Sequence, residues 1–177
     1  MNEIIIHRVE PSDGAMLRQV RLLALATDPA SFGSTYEREA AFPNEVWAER
    51  AQRGSRGEDA TTLIAIRRSE PVGMITGARD EALPDLFHVF GTWVAPDARR
   101  GGLGRQLLTG IERWAVECGG TRIQLAVTDT ATAARRLYTR EGYHPDGDFM
   151  ESAQIPGLHE TRLTKHVGEA ASHPVER

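Results

Sequence analysis

A glycine-rich segment past the middle of the chain carries the strongest chemical signal in the sequence. It spans Val94 to Leu108 and reads VAPDARRGGLGRQLL. Glycines at the start of a helix let the backbone approach a ligand closely, and the first-turn amides have no acceptors inside the helix. Such a helix start is a binding site for phosphate groups. Because Arg99, Arg100 and Arg105 add local positive charge, the segment predicts a site for a phosphate-bearing ligand.

Two familiar phosphate-binding motifs do not fit this segment. A P-loop has a lysine and then a serine or threonine after its last glycine, whereas Gly104 is followed by Arg105 and Gln106. A dinucleotide-binding GxGxxG turn ends the first strand of a βαβ unit, whereas this turn lies later in the chain and has a different spacing. Glycine spacing alone also fits a connection that is chosen only for its turn geometry, so other residues must decide.

A second segment, ARRLYTREGY at residues 134–143, completes a pattern with the first. Together the two segments resemble the GNAT superfamily of N-acetyltransferases. The first family motif is Arg or Gln, two variable residues, Gly, one variable residue and then Gly or Ala, and Arg99, Gly102 and Gly104 fill these places. The second motif is Ala-x-x-Leu-Tyr-x-x-x-Gly-Phe, with Tyr143 in the place of the last aromatic residue. Two motifs in the family's order are far more specific than either alone.

The resemblance implies acetyl-CoA as the co-substrate. In that family, amides of the glycine-rich turn bind the coenzyme A pyrophosphate, and the preceding strand pairs with the pantetheine arm. The family usually has an asparagine seven residues before the helix tyrosine; this position is Ala131 here, and Thr130 or Asp129 could supply a substitute contact. The coenzyme-binding residues that the resemblance implies are Trp93, Val94, Arg99, Arg100, Gly101, Gly102, Leu103, Gly104, Arg105 and Thr130.

The chemistry of acyl transfer defines the catalytic groups to look for. An amine attacks the thioester carbonyl, an oxyanion forms and a thiolate leaves, and no covalent enzyme intermediate is needed when both substrates are bound together. A phenol with a pKa of ~10 can protonate a departing thiolate whose conjugate acid has a pKa of ~8.5, provided that it lies within hydrogen-bond reach. Helical spacing alone makes Tyr138 a core residue beside Leu137, but the motif favours Tyr138 as the acid.

The attacking amine also needs a base. A substrate ammonium has a pKa of ~10 and must first lose a proton, directly or through a water chain. His88 is the first candidate, because it lies on the strand that leads to the glycine-rich turn and imidazole titrates in a useful range. A lone strand histidine is more often structural, and Glu37, Asp80 and Asp85 remain alternatives. We expect the oxyanion to accept a hydrogen bond from a strand amide, that of Val94.

The acceptor is a primary amine that the sequence does not identify, either a small molecule or a peptide amino group. GNAT proteins usually build the acceptor site from the early, variable part of the chain, where Phe32, Tyr36, Phe42 and Trp47 could line a pocket. Each of these aromatic residues is equally compatible with ordinary packing. The acidic charge outside the glycine-rich turn favours a cationic acceptor, such as a polyamine, an aminoglycoside-like amine or a protein amino group.

Hydrophobic periodicity predicts the elements that must position these groups. The fold class is α/β, with three layers of the α+β kind: a GNAT-like mixed, twisted central sheet of about six to seven strands flanked by helices. The expected strands are 4–9, 61–67, 72–78, 86–94, 122–127 and 160–166. The expected helices are one ending near 27, one or two within 31–54 interrupted at Pro43, one after the glycine-rich turn, and 130–141, with a hairpin-like section around 145–147. Alternation along 86–94 predicts one face of Phe87, Val89 and Trp93 and another of His88, Phe90, Thr92 and Val94.

Length and composition favour one globular domain. The chain has 177 residues, which predicts a single domain over 1–167 and a disordered tail over 168–177. The net charge of −4 argues against a nucleic-acid partner, and no apolar run is long enough for a membrane span. One cysteine, Cys118, and unclustered histidines predict no disulfide, no bound metal and a reducing, cytoplasmic setting. Homodimers are common in the GNAT superfamily, so a homodimer remains open.

Two other functions also remain open. A catalytically silent acyl-CoA-binding or sensor domain would share the fold, and Ala131 in place of the usual asparagine is the one hint of it. A nucleotide-binding module would use the same glycine-rich turn, but it would give Tyr138 and its motif no role. The sequence therefore favours an acyl-CoA-dependent N-acetyltransferase.

Overall fold

Seven strands form one mixed sheet in this computed structural model, which describes residues 3–151 and 156–168. The strands are β1 (Ile4–Arg8), β2 (Ala60–Arg67), β3 (Glu70–Arg79), β4 (Leu86–Val94), β5 (Arg122–Thr128), β6 (His144–Glu151) and β7 (His159–His166). The described helices are α1 (Gly14–Thr27), α2 (Tyr36–Ala40), α3 (Asn44–Arg56), α4 (Leu103–Glu117) and α5 (Thr132–Arg140). From edge to edge the sheet order is β1-β2-β3-β4-β5-β7-β6. The predicted mixed α/β fold class is confirmed.

The centre of the sheet opens between β4 and β5, the one parallel pair among the described strands. Their pairing runs from Leu86 with Arg122 to Val89 with Leu125 and then stops, although β4 continues to Val94 and β5 to Thr128. The strands therefore separate towards their carboxyl ends. Main-chain N–H and C=O groups on the facing edges of this gap have no strand partner, and such groups need one from elsewhere.

The predicted faces of β4 are wrong beyond residue 90, because the strand contains a bulge. Met74 pairs with Trp93 and Thr76 with Phe90, so two residues of β4 oppose one residue of β3 between these pairs. Gly91, one of the two, has a φ of +65°, which a glycine adopts easily. The extra residue reverses the alternation beyond it. Trp93 therefore shares a face with His88 and Phe90, and Val94 shares the face of Phe87 and Val89, contrary to the prediction.

The two faces of the sheet are covered by different helices. On the face of Phe87, Gly73 and Gly77 have no side chains and so admit Leu107 and Trp114 of α4. Trp114 meets Phe87 edge-on, with ring centroids 5.1 Å apart. Helices α1 and α3 cover the opposite face. The glycine-rich turn and the early variable region thus lie on opposite sides of the gap between β4 and β5.

The helical region before β2 confirms the prediction of short helices interrupted at Pro43, which lies between α2 and α3. The closing section differs from the prediction, because Pro145 and Gly147 lie inside β6 rather than in a turn. Strand β6 is at the sheet edge, where a proline without an N–H is tolerated, and its pairing with β7 is irregular between Pro145 and Phe149. The predicted tail lies outside the described residues except for Gly168. Within the described ranges, no helix is both long and apolar enough to cross a membrane.

Candidate active site

The glycine-rich segment forms the tight turn that starts α4. Arg100 and Gly102 have φ values of +66° and +82°, and nothing lies within 4 Å of the place that a Cβ on Gly102 would occupy. Glycine is therefore needed there for its conformation and not for space. The first backbone hydrogen bond of the helix runs from the Gln106 N–H to the Gly102 carbonyl at 3.0 Å. The amides of Leu103, Gly104 and Arg105 precede it, so they have no acceptor inside the helix and can donate to a ligand.

Gly104 has a different role in the same turn. A Cβ on Gly104 would lie 3.1 Å from Leu137 Cδ2 and 3.8 Å from Val94 Cγ2. The missing side chain lets the first turn of α4 pack against α5 and the end of β4. Arg105 strengthens this junction through an ion pair of 3.2 Å between its Nε and Glu141 Oε1. The two sequence motifs therefore meet in space at Gly104 and Leu137.

Arg99 and Trp93 use their side chains to fasten the turn. Arg99 Nε donates to the Val94 carbonyl at 2.9 Å, and its Nη2 pairs with the Asp28 carboxylate at the end of α1. Trp93 Nε1 donates to the same carboxylate at 2.8 Å. These side chains are thus committed to Asp28, and any contact of Arg99 or Trp93 with a coenzyme would come from the main chain or the exposed edge of the guanidinium.

Thr130 also has a structural partner. Its hydroxyl donates to the Ala30 carbonyl at 3.2 Å and lies 3.2 Å from the Thr128 hydroxyl. Ala131 is the N-cap of α5 and provides no capping side chain. The replacement contact that the sequence suggested for the usual asparagine therefore requires Thr130 to share its hydroxyl with Ala30.

Tyr138 lies beside the gap in the sheet. Its residue exposure is 5%, and its ring meets the Tyr143 ring at a centroid distance of 5.9 Å. The phenol is close to Thr92 in the bulge of β4, but Thr92 Oγ1 is buried without a formed hydrogen bond to any described residue. Burial raises the pKa of Tyr138, and the Thr92 hydroxyl offsets that rise only in part. The phenol is therefore protonated at neutral pH, as a proton donor must be.

His88 forms a pair with Asp80, which the sequence had offered as an alternative base. The distance from His88 Nε2 to Asp80 Oδ2 is 2.8 Å. Hydrogen bonds from His88 and from the amides of Leu83 and Ala82 lower the Asp80 pKa to about 2. An ionised carboxylate only accepts, so His88 Nε2 carries the hydrogen and Nδ1 of the neutral ring is left as the acceptor. This is the tautomer that a base acting through Nδ1 requires.

A cavity of about 760 Å³ opens on the face of His88. Phe32, Phe42 and Trp47 line it, as the sequence suggested, whereas Tyr36 does not. Gly91 of the bulge is also in its wall, so the cavity reaches the gap between β4 and β5. A larger depression of about 1050 Å³ includes Asp80 but no residue of β4 or β5, so it does not reach the gap. The cavity at the gap is therefore the candidate acceptor site.

A buried ion cluster forms one wall of this cavity. Glu39 is 3% exposed, and its carboxylate accepts from Arg21 Nη2 at 2.7 Å and from Arg50 Nη1 at 2.9 Å. Burial opposes ionisation of Glu39, but the hydrogen bonds from Arg21 and Arg50 outweigh it and lower the pKa to about 2. The Arg50 guanidinium also stacks on Trp47 at 4.8 Å from the ring centroid. No local sequence pattern predicts this cluster, because its charges come from three separate helices.

The remaining base candidates differ in position. Glu37 is outside the cavity wall, and Asp85 is hydrogen-bonded to Arg122 and Thr121, which lowers its pKa. Glu160 of β7 lies in the wall and was not predicted, because the register of β7 against β5 cannot be read from the residues alone. In the part of the chain that the structure describes, no three His, Cys, Asp or Glu side chains are grouped to hold a metal ion. That no metal is needed stays a prediction.

The splayed parallel pair, the glycine turn and the buried phenol come together at the gap between β4 and β5, in a fold of the acetyltransferase kind. The sequence model of the Acetyltransferase (GNAT) family matches residues 21–143, which is more than half of the chain, and the protein belongs to this family. The predicted resemblance is thereby confirmed. A comparison with curated protein sequences gives no match.

Solved structures share the fold over nearly the whole chain. A GNAT-family acetyltransferase from Streptococcus pneumoniae is 22% identical with a TM-score of 0.78, and the match covers 94% of this chain and 100% of that chain. The yncA protein from Salmonella typhimurium, solved with its cofactor acetyl-CoA, is 15% identical with a TM-score of 0.77, covering 98% and 99%. The PaiA N-acetyltransferase from Thermoplasma acidophilum, in complex with coenzyme A, is 16% identical with a TM-score of 0.73, covering 93% and 99%.

Proposed function

We propose that this protein is an N-acetyltransferase that moves the acetyl group of acetyl-CoA to a primary amine by direct attack in a ternary complex. The observation that carries the proposal is the gap between β4 and β5, with the amides of the α4 turn at its mouth and the Tyr138 phenol at its side. The presence of acetyl-CoA and of coenzyme A in two structures of the same fold supports this choice of co-substrate.

The glycine turn holds the coenzyme in this proposal. Amides of Leu103, Gly104 and Arg105 donate to the diphosphate, and Arg100 adds positive charge. The pantetheine arm pairs with the unpartnered edge of β4. Because the Val94 carbonyl already accepts from Arg99, we expect the pairing to use main-chain groups on either side of that carbonyl. The thioester then lies in the gap, at the end of the acceptor cavity.

Tyr138 acts as the acid that protonates the departing thiolate. Its buried phenol stays protonated at neutral pH, and its position beside Thr92 is at the edge of the gap. A nucleophilic role is excluded for the same reason, since a phenol whose pKa is raised is a poor nucleophile near neutral pH. The buried hydroxyl of Thr92 is available to orient the phenol once the thioester is bound.

His88 acts as the base, with Asp80 holding its tautomer. Thr92 is the fourth residue after His88 along the extended strand, a span of about 13 Å. Tyr138 lies beside Thr92, so His88 and Tyr138 are too far apart to contact the same reacting group directly. The amine proton therefore reaches His88 Nδ1 through water in the cavity. The oxyanion accepts from a β4 amide that faces the gap.

The experiment is an assay of acetyl-CoA-dependent thiol release over a panel of amines and peptides, alongside calorimetric titration of acetyl-CoA. The proposal expects micromolar binding of the coenzyme and release that depends on an amine. Tight binding without release for any amine would instead establish the silent acyl-CoA-binding domain. A melting temperature that rises with ATP or NAD but not with acetyl-CoA would establish the nucleotide-binding module.

A further inference from the structure

The wall of the acceptor cavity is positively charged, although the chain as a whole has a net charge of −4. Its charged residues comprise five arginines and two glutamates: Arg21, Arg38, Arg50, Arg53, Arg162, Glu39 and Glu160. Local charge in a cleft governs which ligands enter it, because low-dielectric walls focus the field there. The overall charge, which favoured a cationic acceptor, is therefore a poor guide to this site.

The cluster around Glu39 leaves one positive charge without a partner. A single carboxylate binds both the Arg21 and the Arg50 guanidinium groups. Arg21 is 15% exposed at its side chain, and its Nη1 lies 3.9 Å from the Cβ position of Gly91, at the bulge that borders the gap. A largely buried guanidinium that shares its one carboxylate is costly unless a ligand supplies a second anion or solvent hydrates it. The free edge of this cluster is turned towards the place of reaction.

Three further features make the wall suited to binding an anion. Arg50 is stacked on both Trp47 and Phe42, which fixes its guanidinium plane and lowers the entropy lost on binding. Arg38 lies in the wall, is exposed, and forms no side-chain ion pair or hydrogen bond with any residue that the structure describes. The indole N–H of Trp47 also lacks an acceptor among those residues, so it is a donor for a bound water or ligand oxygen.

We infer that the acceptor is a small amine that carries its own anionic group, a carboxylate, phosphonate or sulfonate. The inference rests on the proposed function. Arginine forks match planar and tetrahedral oxyanions with paired hydrogen bonds, which fixes the anionic end against the Arg38 and Arg50 side of the cavity. The amine end then points to the gap and His88. A polyamine, which has only positive charge, is repelled by the same wall.

The positive wall also assists the chemistry. An ammonium group near unpaired guanidinium groups loses its proton more easily, because a like charge disfavours the charged form. The anionic end of the substrate supplies the binding free energy, and the amine end is presented in its reactive neutral form. One set of arginines therefore gives selectivity and lowers the demand on the base.

The test compares matched acceptors in the thiol-release assay with the full chain. The panel pairs amino acids and β-alanine with their carboxamides, and adds aminoethylphosphonate, taurine and spermidine. We expect at least one anionic amine to exceed its neutral partner in kcat/KM by about 100-fold, as two charge-assisted hydrogen bonds would give. The order of kcat/KM among the carboxylate, phosphonate and sulfonate acceptors identifies the preferred anionic group.

Variants separate recognition from folding. Arg38→Gln removes an exposed guanidinium, so it should leave the fold intact and raise KM for the anionic amine about tenfold with kcat nearly kept. KM for the neutral partner should change little. Arg113→Gln, an exposed arginine on the opposite helix α4, is the matched control and should behave as the wild type.

The outcomes distinguish the two proposals. No binding of acetyl-CoA, or binding without release for any amine, would remove the proposed function itself. Release with neutral amines or spermidine at rates equal to or above those of the anionic amines would leave the transferase standing and overturn the anionic acceptor. An equal rise in KM for both members of a pair in Arg38→Gln would overturn it too, since the arginine would then not read the charge.

Discussion

The two regions that we propose bind ligands use different parts of the chain. At the α4 turn the donors are main-chain amides, and glycines shape them. In the acceptor cavity the donors are side chains, and the Glu39 carboxylate holds Arg21 and Arg50 in place. Main-chain donors suit the proposed co-substrate, because they survive change in the surrounding side chains. Side-chain donors suit selection of the acceptor, because a few substitutions alter the charge.

The largest effect is expected from a substitution at Tyr138, which lies between the two regions. Tyr138→Phe removes the proton donor and keeps the ring packing on Tyr143. We expect kcat to fall by about 100-fold or more, because general acid catalysis is worth that much, while the affinity for acetyl-CoA is nearly kept. Steady-state kinetics with calorimetry measures both. Unchanged turnover would remove Tyr138 from the acid role.

Breaking the side-chain region should cost stability. Glu39→Gln leaves the largely buried Arg21 guanidinium, and the more exposed Arg50 beside it, without their carboxylate. We expect a loss of about 3 kcal/mol in the free energy of unfolding. Urea denaturation measures it, with Glu49→Gln on the exposed side of α3 as the control. A loss no greater than that of the control would mean that solvent replaces the carboxylate at no cost.

The free energy of unfolding at acid pH should also depend on the Glu39 carboxylate. Burial works against the charge of Glu39, but Arg21 and Arg50 lower its pKa from 4.5 to about 2. A folded-state pKa below the unfolded value gives stabilisation that is complete above pH 4.5 and is lost as the pH falls towards 2. The wild type should therefore lose more stability than Glu39→Gln between these pH values. An equal loss of stability in the wild type and in Glu39→Gln would contradict a lowered pKa of Glu39.

Breaking the main-chain region should instead cost coenzyme affinity. Gly102 and Gly119 have φ values of +82° and +84°, and nothing lies within 4 Å of a Cβ at either place. Alanine at either should destabilise by about 1 kcal/mol. Only Gly102→Ala should weaken acetyl-CoA binding, by about tenfold, because it disturbs the amides that bind phosphate. Equal loss of affinity in both variants would assign the effect to stability alone.

The smallest effect is expected at the pair formed by His88, the proposed base, and Asp80. Asp80→Asn can donate to His88 Nε2 and so shifts the hydrogen to Nδ1, which then cannot accept the amine proton. We expect kcat/KM to fall severalfold, with the affinity for acetyl-CoA unchanged. Steady-state kinetics should show a similar fall for His88→Gln. Full activity in both variants would exclude His88 and direct attention to Glu160.

The regions also differ in how far the sequence predicts them. The α4 turn follows from a local pattern, because Gly102 and Gly104 are needed by the geometry of one continuous segment. The pattern does not predict the residue that holds the turn in place. Asp28, whose carboxylate accepts hydrogen bonds from both Arg99 and Trp93, is far away in the sequence. The cluster at Glu39 joins α1, α2 and α3, whose relative placement depends on packing and not on periodicity.

The bulge in β4 shows a second limit. Strict alternation put Trp93 with Phe87, and a single inserted residue at Gly91 placed it on the other face. A lone glycine in a strand is a weak sign of a bulge and does not fix its register. Likewise Pro145 and Gly147 indicate a turn by composition, but an edge strand tolerates both.

One measurement tests the main-chain claim most directly. Calorimetric titration should compare acetyl-CoA with acetyl-pantetheine, which has the same thioester and pantetheine arm but no diphosphate. If the amides at the start of α4 hold the diphosphate, acetyl-CoA should bind in the micromolar range and acetyl-pantetheine about 100-fold more weakly. Equal affinity for the two compounds, or no association with acetyl-CoA, would contradict the account.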